Sequence, residues 1–287
     1  MDVENFSKAI VKLLKMAVTQ IPSDVENALK EAMKKEDEVA KTQLKAILEN
    51  VRLANKEKPI CQDTGIQTFF VKMGIDFPFK GIIKEGIIEG VRKATKEIPL
   101  RPNAIDVFTS KNSGDNTGKH VPFIHWEIVD GSDCEITAIP KGGGSENMST
   151  LRMLKPGVGL EGVKKFVIEW MAQAAGNPCP PTIVGIGIGG GADIAMKLAK
   201  QAILRPVGER SEDAEVAKME EELVEEINKT GIGPMGLGGK TTVLDVHIEV
   251  AHRHPASLPV GIVVQCWADR RAKMFIDEKG EITWSMN

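Results

Sequence analysis

Residues 58–70, KPICQDTGIQTFF, mark the point where the character of this sequence changes. Upstream of them, apolar residues recur at helical spacing, whereas the segment that follows, GIQTFFVKMG, is typical of a β-strand. The connecting loop carries a cysteine, a carboxylate two residues later and a glycine that permits a turn. The stretch therefore predicts a helical N-terminal part followed by a sheet-containing remainder. Cys61 could be a buried core residue, a nucleophile or a metal ligand.

The first 57 residues predict helices. Phe6, Ile10 and Leu13 share one helical face in a segment that breaks at Pro22, and SDVE at 23–26 is a capping-box pattern that predicts a second helix. A third periodic pattern runs on to ANKEKP at 54–59. We interpret these helices as packing or oligomer surfaces that carry no chemistry.

Residues 58–287 alternate between strand-like and helix-like segments. Strands are predicted at 65–74, 121–130, 134–140, 182–188, 241–251 and 260–267, and helices at 81–97, 157–175, 192–204 and 211–230. The helix at 211–230 is charged and is expected to be exposed. GSD at 131–133 predicts a hairpin between two of the strands, and Gly280 a second hairpin in MFIDEKGEITW. The fold class is therefore mixed α/β, a single domain (1–287) with an N-terminal helical region (1–57) followed by mixed sheets packed with helices (58–287).

Composition narrows the function classes. The formal net charge of −3 gives no electrostatic basis for binding nucleic acid or a membrane surface. No apolar run reaches transmembrane length, and the N-terminus does not resemble a signal peptide. Four widely spaced cysteines are not a disulfide framework, so we expect a cytoplasmic protein.

Two glycine-rich segments resemble nucleotide-binding motifs without fulfilling them. GIGIGG at 185–190 follows a predicted strand, but the acidic residue expected about 20 residues later is missing. We therefore interpret it as a tight strand-to-helix turn. GPMGLGGKTT at 233–242 has Pro234 where a P-loop needs a glycine, and proline removes an N–H that would contact phosphate.

Three of the four cysteines stand where ligands would be useful. Cys61 lies in a loop ahead of a strand, Cys179 between prolines, and Cys266 at the end of a buried strand, whereas Cys134 begins an alternating strand and is expected to be a small core residue. Structural zinc usually uses close cysteine pairs, so zinc is disfavoured. Three thiolates without a fourth suit a 4Fe-4S cluster with one open iron, which could act as a Lewis acid.

Five motifs together, in the same order along the chain, carry a resemblance to a known family. They are CQDTG (61–65), KGGGSEN (141–147), GNPCPP (176–181), GPMGLGGKTTVLDV (233–246) and HRHPASLPVGIVVQC (252–266). The sequence resembles the α subunit of class I iron–sulfur fumarate hydratases and L-tartrate dehydratases from about residue 10 to the C-terminus.

The resemblance implies a role for each matching residue. The cluster ligands would be Cys61, Cys179 and Cys266, and the substrate-binding residues Gln62, Asp63, Arg101 and Gly144. Asp63 and His254 would be catalytic, with His254 near Asp63 to orient or polarise it. Single-chain members carry a further C-terminal domain, and this chain stops at Asn287. The resemblance therefore implies a separate β subunit that completes the site in an oligomer of α and β chains.

The activity implied is a hydro-lyase reaction of the tricarboxylic acid cycle, the reversible hydration of fumarate to malate on the open iron. Asp63 or a hydroxyl residue of the partner would exchange the proton on the neighbouring carbon. Dehydration of L-tartrate is the close alternative, because it needs the same cluster and the same chemistry. A different class, an iron–sulfur redox sensor or electron carrier, would normally use a fourth protein ligand and would not need the carboxylate-binding residues.

Overall fold

A computed structural model of the chain describes residues 1–54 and 57–286. The helices in chain order are α1 (Val3–Thr19), α2 (Ser23–Lys35), α3 (Glu38–Ala54), α4 (Ile83–Glu97), α5 (Gly143–Glu146), α6 (Gly159–Ala174), α7 (Ala192–Ala202) and α8 (Ala214–Asn228). The strands are β1 (Ile66–Gly74), β2 (Phe123–Val129), β3 (Cys134–Lys141), β4 (Thr150–Leu154), β5 (Thr182–Gly190), β6 (Val243–Arg253), β7 (Leu258–Gln265), β8 (Ala272–Ile276) and β9 (Ile282–Ser285). The mixed α/β prediction is confirmed. No described helix is long and apolar enough to cross a membrane.

Contacts within the described residues divide the chain into two compact units. The first contains Met1–Ser23, Asn50–Gly143 and Arg270–Asn287, and the second contains Asp24–Glu49 and Gly144–Asp269. The single domain at 1–287 stays a prediction. The predicted N-terminal helices are present, although the boundary near residue 57 passes through Asn55 and Lys56, which lie outside the described residues.

The first unit is built on a five-stranded sheet of order β2-β1-β3-β8-β9. β1 pairs parallel with β2 and antiparallel with β3, and β8 pairs antiparallel with β3 and β9. Helices α1 and α4 pack apolar side chains, among them Phe6, Ile10 and Ile87, against the sheet and form a buried core with it. The predicted C-terminal hairpin is confirmed as β8–β9, with Gly280 in its turn at a φ of +84°.

The hairpin predicted between β2 and β3 is wrong, because β1 lies between these two strands. The connection from β2 to β3 instead passes over the end of β1, where the Gly74 amide donates to the carbonyl of Asp133 at 2.8 Å. The Asp76 amide also donates to the carbonyl of Gly131, at 3.0 Å. GSD correctly indicated a turn, but a turn signal does not specify which strand pairs with which.

The second unit is built on a four-stranded sheet of order β4-β7-β5-β6. Helix α7 packs on β5 so closely that a β-carbon at Gly187 would lie 2.0 Å from the carbonyl oxygen of Ala195. Glycine at this position therefore allows close packing of helix on sheet. The segment 185–190, which we interpreted as a turn, instead lies within β5, because strand pairing with β6 continues to Gly190. The chain changes direction toward α7 only at the end of this segment, where Gly189 and Gly190 are both at positive φ.

Helix α8 is only partly exposed, which corrects the prediction for 211–230. Its buried face includes Met219, Leu223 and the carboxylate of Glu220, which is fully buried. Arg205 donates to Glu220 at 2.6 Å, and the amide of Ile248 donates to it at 2.8 Å. Burial opposes the charge of Arg205, but its hydrogen bonds to Glu249 and Glu220 outweigh this effect and raise its pKa. The high charge content of α8 concealed this internal ion pair.

Candidate functional site

The CQDTG loop, residues 61–65, lies at the start of β1 in the first unit. Cys61 and Asp63 are half-buried, Gln62 is exposed and Thr64 is buried. Gly65 has a φ of +72°, and a β-carbon there would lie 2.7 Å from the carbonyl carbons of two residues of β3. Only glycine accommodates this turn against the strand. The loop therefore has a fixed course, with the Gln62 side chain open to solvent.

The carboxylate of Asp63 is held by main-chain amides on both of its oxygens. Oδ1 accepts from the amide of Gly65 at 2.9 Å, and Oδ2 accepts from the amide of Gly143 at 2.8 Å. Asp63 and the glycine-rich turn are predicted to belong to one site, and the structure brings Asp63 to Gly143, a neighbour of the predicted Gly144. These two bonds fix the orientation of the carboxylate.

The segment that carries Arg101 is attached to the same loop. The Arg101 amide donates to Thr64 Oγ1 at 2.9 Å, and Asn103 Nδ2 donates to the carbonyl of Gly65 at 3.0 Å. Asn116 supports both residues, because its Nδ2 donates to the Arg101 carbonyl at 2.9 Å and its Oδ1 accepts from the Asn103 amide at 2.6 Å. The Arg101 residue is exposed. The main chain that bears this cation is thus positioned by the CQDTG loop.

Thr64, Asn103 and Asn116 are supporting residues that were not predicted from the sequence. Their signal was present in the motif CQDTG and in the polar segment at 101–120, where asparagine and threonine are concentrated. Short polar side chains of this kind bond to main-chain groups and stabilise irregular backbone.

Cys179 and Cys266 lie in the second unit, where the main chain brings their neighbourhoods together. The amide of Trp267, the residue after Cys266, donates to the carbonyl of Cys179 at 3.2 Å. Cys179 has a φ of +56°, a strained conformation for a residue with a side chain, and its amide donates to Gly176 at 3.1 Å. Both cysteines are half-buried. Two predicted ligands are therefore presented on adjoining backbone segments.

Gly144 and His254 also belong to the second unit, and both are exposed. A β-carbon at Gly144 would lie 3.7 Å from the carbonyl oxygen of Asn177, two residues before Cys179. His254 lies in the turn between β6 and β7, and its Nδ1 accepts from the amide of Ala256 at 3.1 Å. This bond orients the imidazole within its own turn, and the action of His254 on Asp63 stays a prediction.

The donor chemistry of the cysteines can be compared with the implied cluster. The described residues contain no group of three or more His, Cys, Asp or Glu side chains that could hold a metal ion. Cys61, Cys179 and Cys266 are half-buried thiols outside any disulfide. A single ion needs donors that converge on one point, whereas an iron–sulfur cluster takes one thiolate on each of several separated irons. In their donor chemistry, half-buried thiols outside any disulfide suit iron–sulfur ligation.

Cys134 is different from the other three cysteines. It is fully buried at the start of β3, and burial, with a smaller contribution from the charge of Glu135, raises the pKa of its thiol to about 12. A thiol in this environment remains protonated and is a poor metal ligand. The interpretation of Cys134 as a core residue agrees with this environment.

The segment that resembled a P-loop does bind an anionic group, but that group is part of the chain. The amides of Lys240 and Thr241 donate to the carboxylate of Glu36 at 2.6–3.0 Å, and Glu36 is buried. The Glu36 carboxylate therefore occupies the amide groups that a phosphate would need.

Comparison with known proteins places this mixed α/β chain among the hydro-lyases. The family model described as Fumarate hydratase (Fumerase) matches residues 7–275. The chain belongs to the fumarate hydratase (Fumerase) family. It is similar to the protein of Methanocaldococcus jannaschii named "Putative L(+)-tartrate dehydratase subunit alpha", with 55% identity over 93% of this chain and 95% of that protein. It is 39% identical to the L(+)-tartrate dehydratase subunit alpha of Escherichia coli O157:H7, over 96% of this chain and 91% of that protein.

Proposed function

We propose that this chain is the α subunit of a cytoplasmic iron–sulfur hydro-lyase that interconverts fumarate and malate. The observation that carries the proposal is the CQDTG loop, which holds a thiol, a fixed carboxylate and the main chain of Arg101. The relatives from M. jannaschii and E. coli are named as α subunits. By analogy, a separate β subunit completes the active site of this chain.

Cys61, Cys179 and Cys266 would hold a 4Fe-4S cluster, with one thiolate each. The cluster would supply a Lewis acid at the iron that has no protein ligand, which favours the addition or departure of hydroxide at carbon. The support for this assignment is the separation of these three half-buried thiols from buried Cys134.

The remaining site residues act on a dicarboxylate substrate in this proposal. Arg101 binds a substrate carboxylate, for which the paired N–H groups of a guanidinium are suited. Gln62 and the main chain of Gly144 make further polar contacts to the substrate. Hydration adds hydroxide to one alkene carbon and a proton to its neighbour. Asp63 is the acid/base of this chain for that proton, and His254 orients or polarises it, unless a hydroxyl group of the β subunit exchanges the proton instead.

Dehydration of L(+)-tartrate is the second candidate reaction. The observation that favours it is the name of the two relatives, which are called L(+)-tartrate dehydratase α subunits in M. jannaschii (putative) and E. coli. This chain aligns with 95% and 91% of their lengths. Tartrate carries one more hydroxyl group than malate, so loss of water gives an enol that becomes a keto acid. The two substrates share both carboxylates and therefore make the same demand on Arg101.

Anaerobic co-expression with the β subunit tests both the cofactor and the reaction. We expect about four irons and four sulfides per α chain, and turnover on malate that exceeds turnover on L-tartrate. The reverse order of rates would assign the tartrate reaction. A stably bound cluster without turnover on either substrate would favour the redox sensor or electron carrier.

Single cysteine variants of the same complex test the ligand set. We expect Cys61→Ser, Cys179→Ser and Cys266→Ser each to lose bound iron, because a serine hydroxyl is a poor replacement for a thiolate. Cys134→Ala is the matched control and should retain iron, since this thiol is buried and protonated. Retention of full iron in any of the three serine variants would remove that residue from the ligand set.

A further inference from the structure

Arg270 is a buried cation beside the CQDTG loop, and neither the sequence motifs nor the proposed function gives it a role. It is 1% exposed. Its Nη1 donates to the main-chain carbonyl of Asp63 at 2.7 Å and its Nη2 to the carbonyl of Pro140 at 3.4 Å, while Nε has no hydrogen-bond partner among the described residues. Burial of a guanidinium with an unmet donor disfavours folding. Packing alone is therefore a weak reason for an arginine here.

The register of the first sheet fixes the place of Arg270. β3 and β8 pair antiparallel with Ala138 opposite Ala272, so continuation of the ladder by two residues brings Arg270 opposite Pro140. β1 pairs with this same end of β3, which brings the preceding CQDTG loop alongside it. The guanidinium thus lies where the loop, the end of β3 and the glycine-rich turn meet.

We propose that Arg270 is a positioning residue that holds Asp63 in its working orientation. Arg270 fixes the main chain of Asp63 to the end of β3, while the amides of Gly65 and Gly143 hold the two carboxylate oxygens. The carboxylate and the guanidinium both approach Gly142, because a β-carbon there would lie 2.9 Å from Asp63 Oδ2 and 3.6 Å from Arg270 Nη2. Without the guanidinium the main chain at Asp63 loses its link to the end of β3, and the carboxylate shifts with it. The inference rests on the proposed function, because it assumes that Asp63 takes part in the hydration.

A double-mutant cycle in the assembled α/β complex tests this role. Arg270→Met should lower kcat by up to about 100-fold, the loss that a displacement of about 1 Å can cause, with little change in KM. Arg270→Lys should recover part of that loss. In the Asp63→Asn background, Arg270→Met should cost less than about threefold, since residues that act through one another are not additive. An equal loss in both backgrounds would overturn the proposal.

Hydrogen exchange supplies a readout that does not depend on turnover. Arg270→Met should accelerate amide exchange in peptides that contain Gly65 and Gly143 by more than about tenfold, because their acceptor on Asp63 is no longer held. Lys84→Met, at an exposed position of α4, is the control and should change neither exchange nor kcat. Unchanged exchange in the Arg270 variant would contradict the positioning role. If Arg270→Met does not assemble, the same measurements of amide exchange and kcat are made on Arg270→Lys.

The two readouts separate failure of the inference from failure of the proposed function. Full turnover in Asp63→Asn would remove Asp63 from the reaction and with it the positioning role. Reduced turnover in Asp63→Asn combined with additive effects of Arg270→Met would leave the function in place and reject the role of Arg270 alone.

Discussion

At the scale of single residues, Asp63 is the side chain on which the proposed chemistry depends most. Both of its oxygens accept hydrogen bonds from main-chain amides, one from within its own loop and one from Gly143, 80 residues away in sequence. A carboxylate held in this way is already oriented before a substrate binds, which reduces the cost of reaching a reactive geometry.

Asp63→Asn is therefore expected to lower turnover by roughly 100- to 10,000-fold, the usual value of a placed proton-transfer group. An amide can accept at only one of the two positions, so one main-chain N–H would face an NH₂ group. The measurement is kcat in the assembled complex together with bound iron, which should be unchanged. Asp76→Asn, an exposed residue after β1, serves as the control. Full activity in Asp63→Asn would mean that the partner subunit supplies the proton-transfer group.

At the scale of elements, the contact between β5 and α7 has almost no tolerance for added volume. The β-carbon of an alanine at Gly187 would meet the carbonyl oxygen of Ala195 at 2.0 Å and the amide nitrogen of Ala199 at 2.7 Å. Both are main-chain atoms of a helix, which cannot turn aside as a flexible side chain can.

Gly187→Ala should consequently destabilise the chain by about 3 kcal/mol or more, at or above the upper end of ordinary overpacking. Thermal unfolding followed by circular dichroism measures the effect as a lower Tm. Gly157→Ala is the control, because no atom lies within 4 Å of its added β-carbon, and its change should stay within about 0.5 kcal/mol. An unchanged Tm for Gly187→Ala would show that α7 moves away from the sheet at little cost.

The helices and strands also show how much of this fold could be predicted from the sequence. Periodicity identified the long helices and most strands because it reflects burial of one face, a local property of each segment. β4 (Thr150–Leu154) was missed because it is short and mostly exposed, which leaves little apolar pattern. The order β2-β1-β3 depends on which strands meet in space, and the turn at 131–133 carries no such information.

The candidate site was likewise only partly predictable from the sequence. Cys61, Asp63 and Arg101 were predicted as site residues from the sequence. The structure shows that the Arg101 amide is hydrogen-bonded to Thr64, the residue after Asp63. The role proposed for Arg270 had no sequence signal, because its contacts with Asp63 and Pro140 span 207 and 130 residues. Contacts of this range are set by strand register, which sequence patterns do not specify.

At the scale of the whole molecule, the first unit depends on the end of the chain. Ala272, Met274 and Ile276 of β8 are fully buried in its core, and β9 completes the sheet beyond them. Burial of each large apolar side chain contributes roughly 1.5–3 kcal/mol, and the stability of a domain is typically about 5–15 kcal/mol.

A chain that ends at Asp269 should therefore fail to form a stable first unit. It would lose β8, β9 and the side chain of Arg270, and it would leave the edge of β3 that faces away from β1 without a partner strand. Hydrogen exchange should show loss of protection in β1 and β3, with protection retained in β5 and β7 of the second unit. A control chain that lacks only the last residue, and so keeps Met286 packed against this core, should behave as the full chain does. Protected β1 and β3 strands in the shorter chain would contradict the expectation.

The late position of β8 also has a consequence for synthesis on the ribosome. β3 emerges before Gly144–Asp269 is made, yet its partner β8 emerges only after that segment. At about 5–20 residues per second, this interval lasts roughly 6 to 25 seconds. During this time the nascent chain carries an apolar strand with an open edge that can pair with a neighbouring chain. We therefore expect the yield of folded protein in a cell to depend on protection of the β3 edge until translation ends.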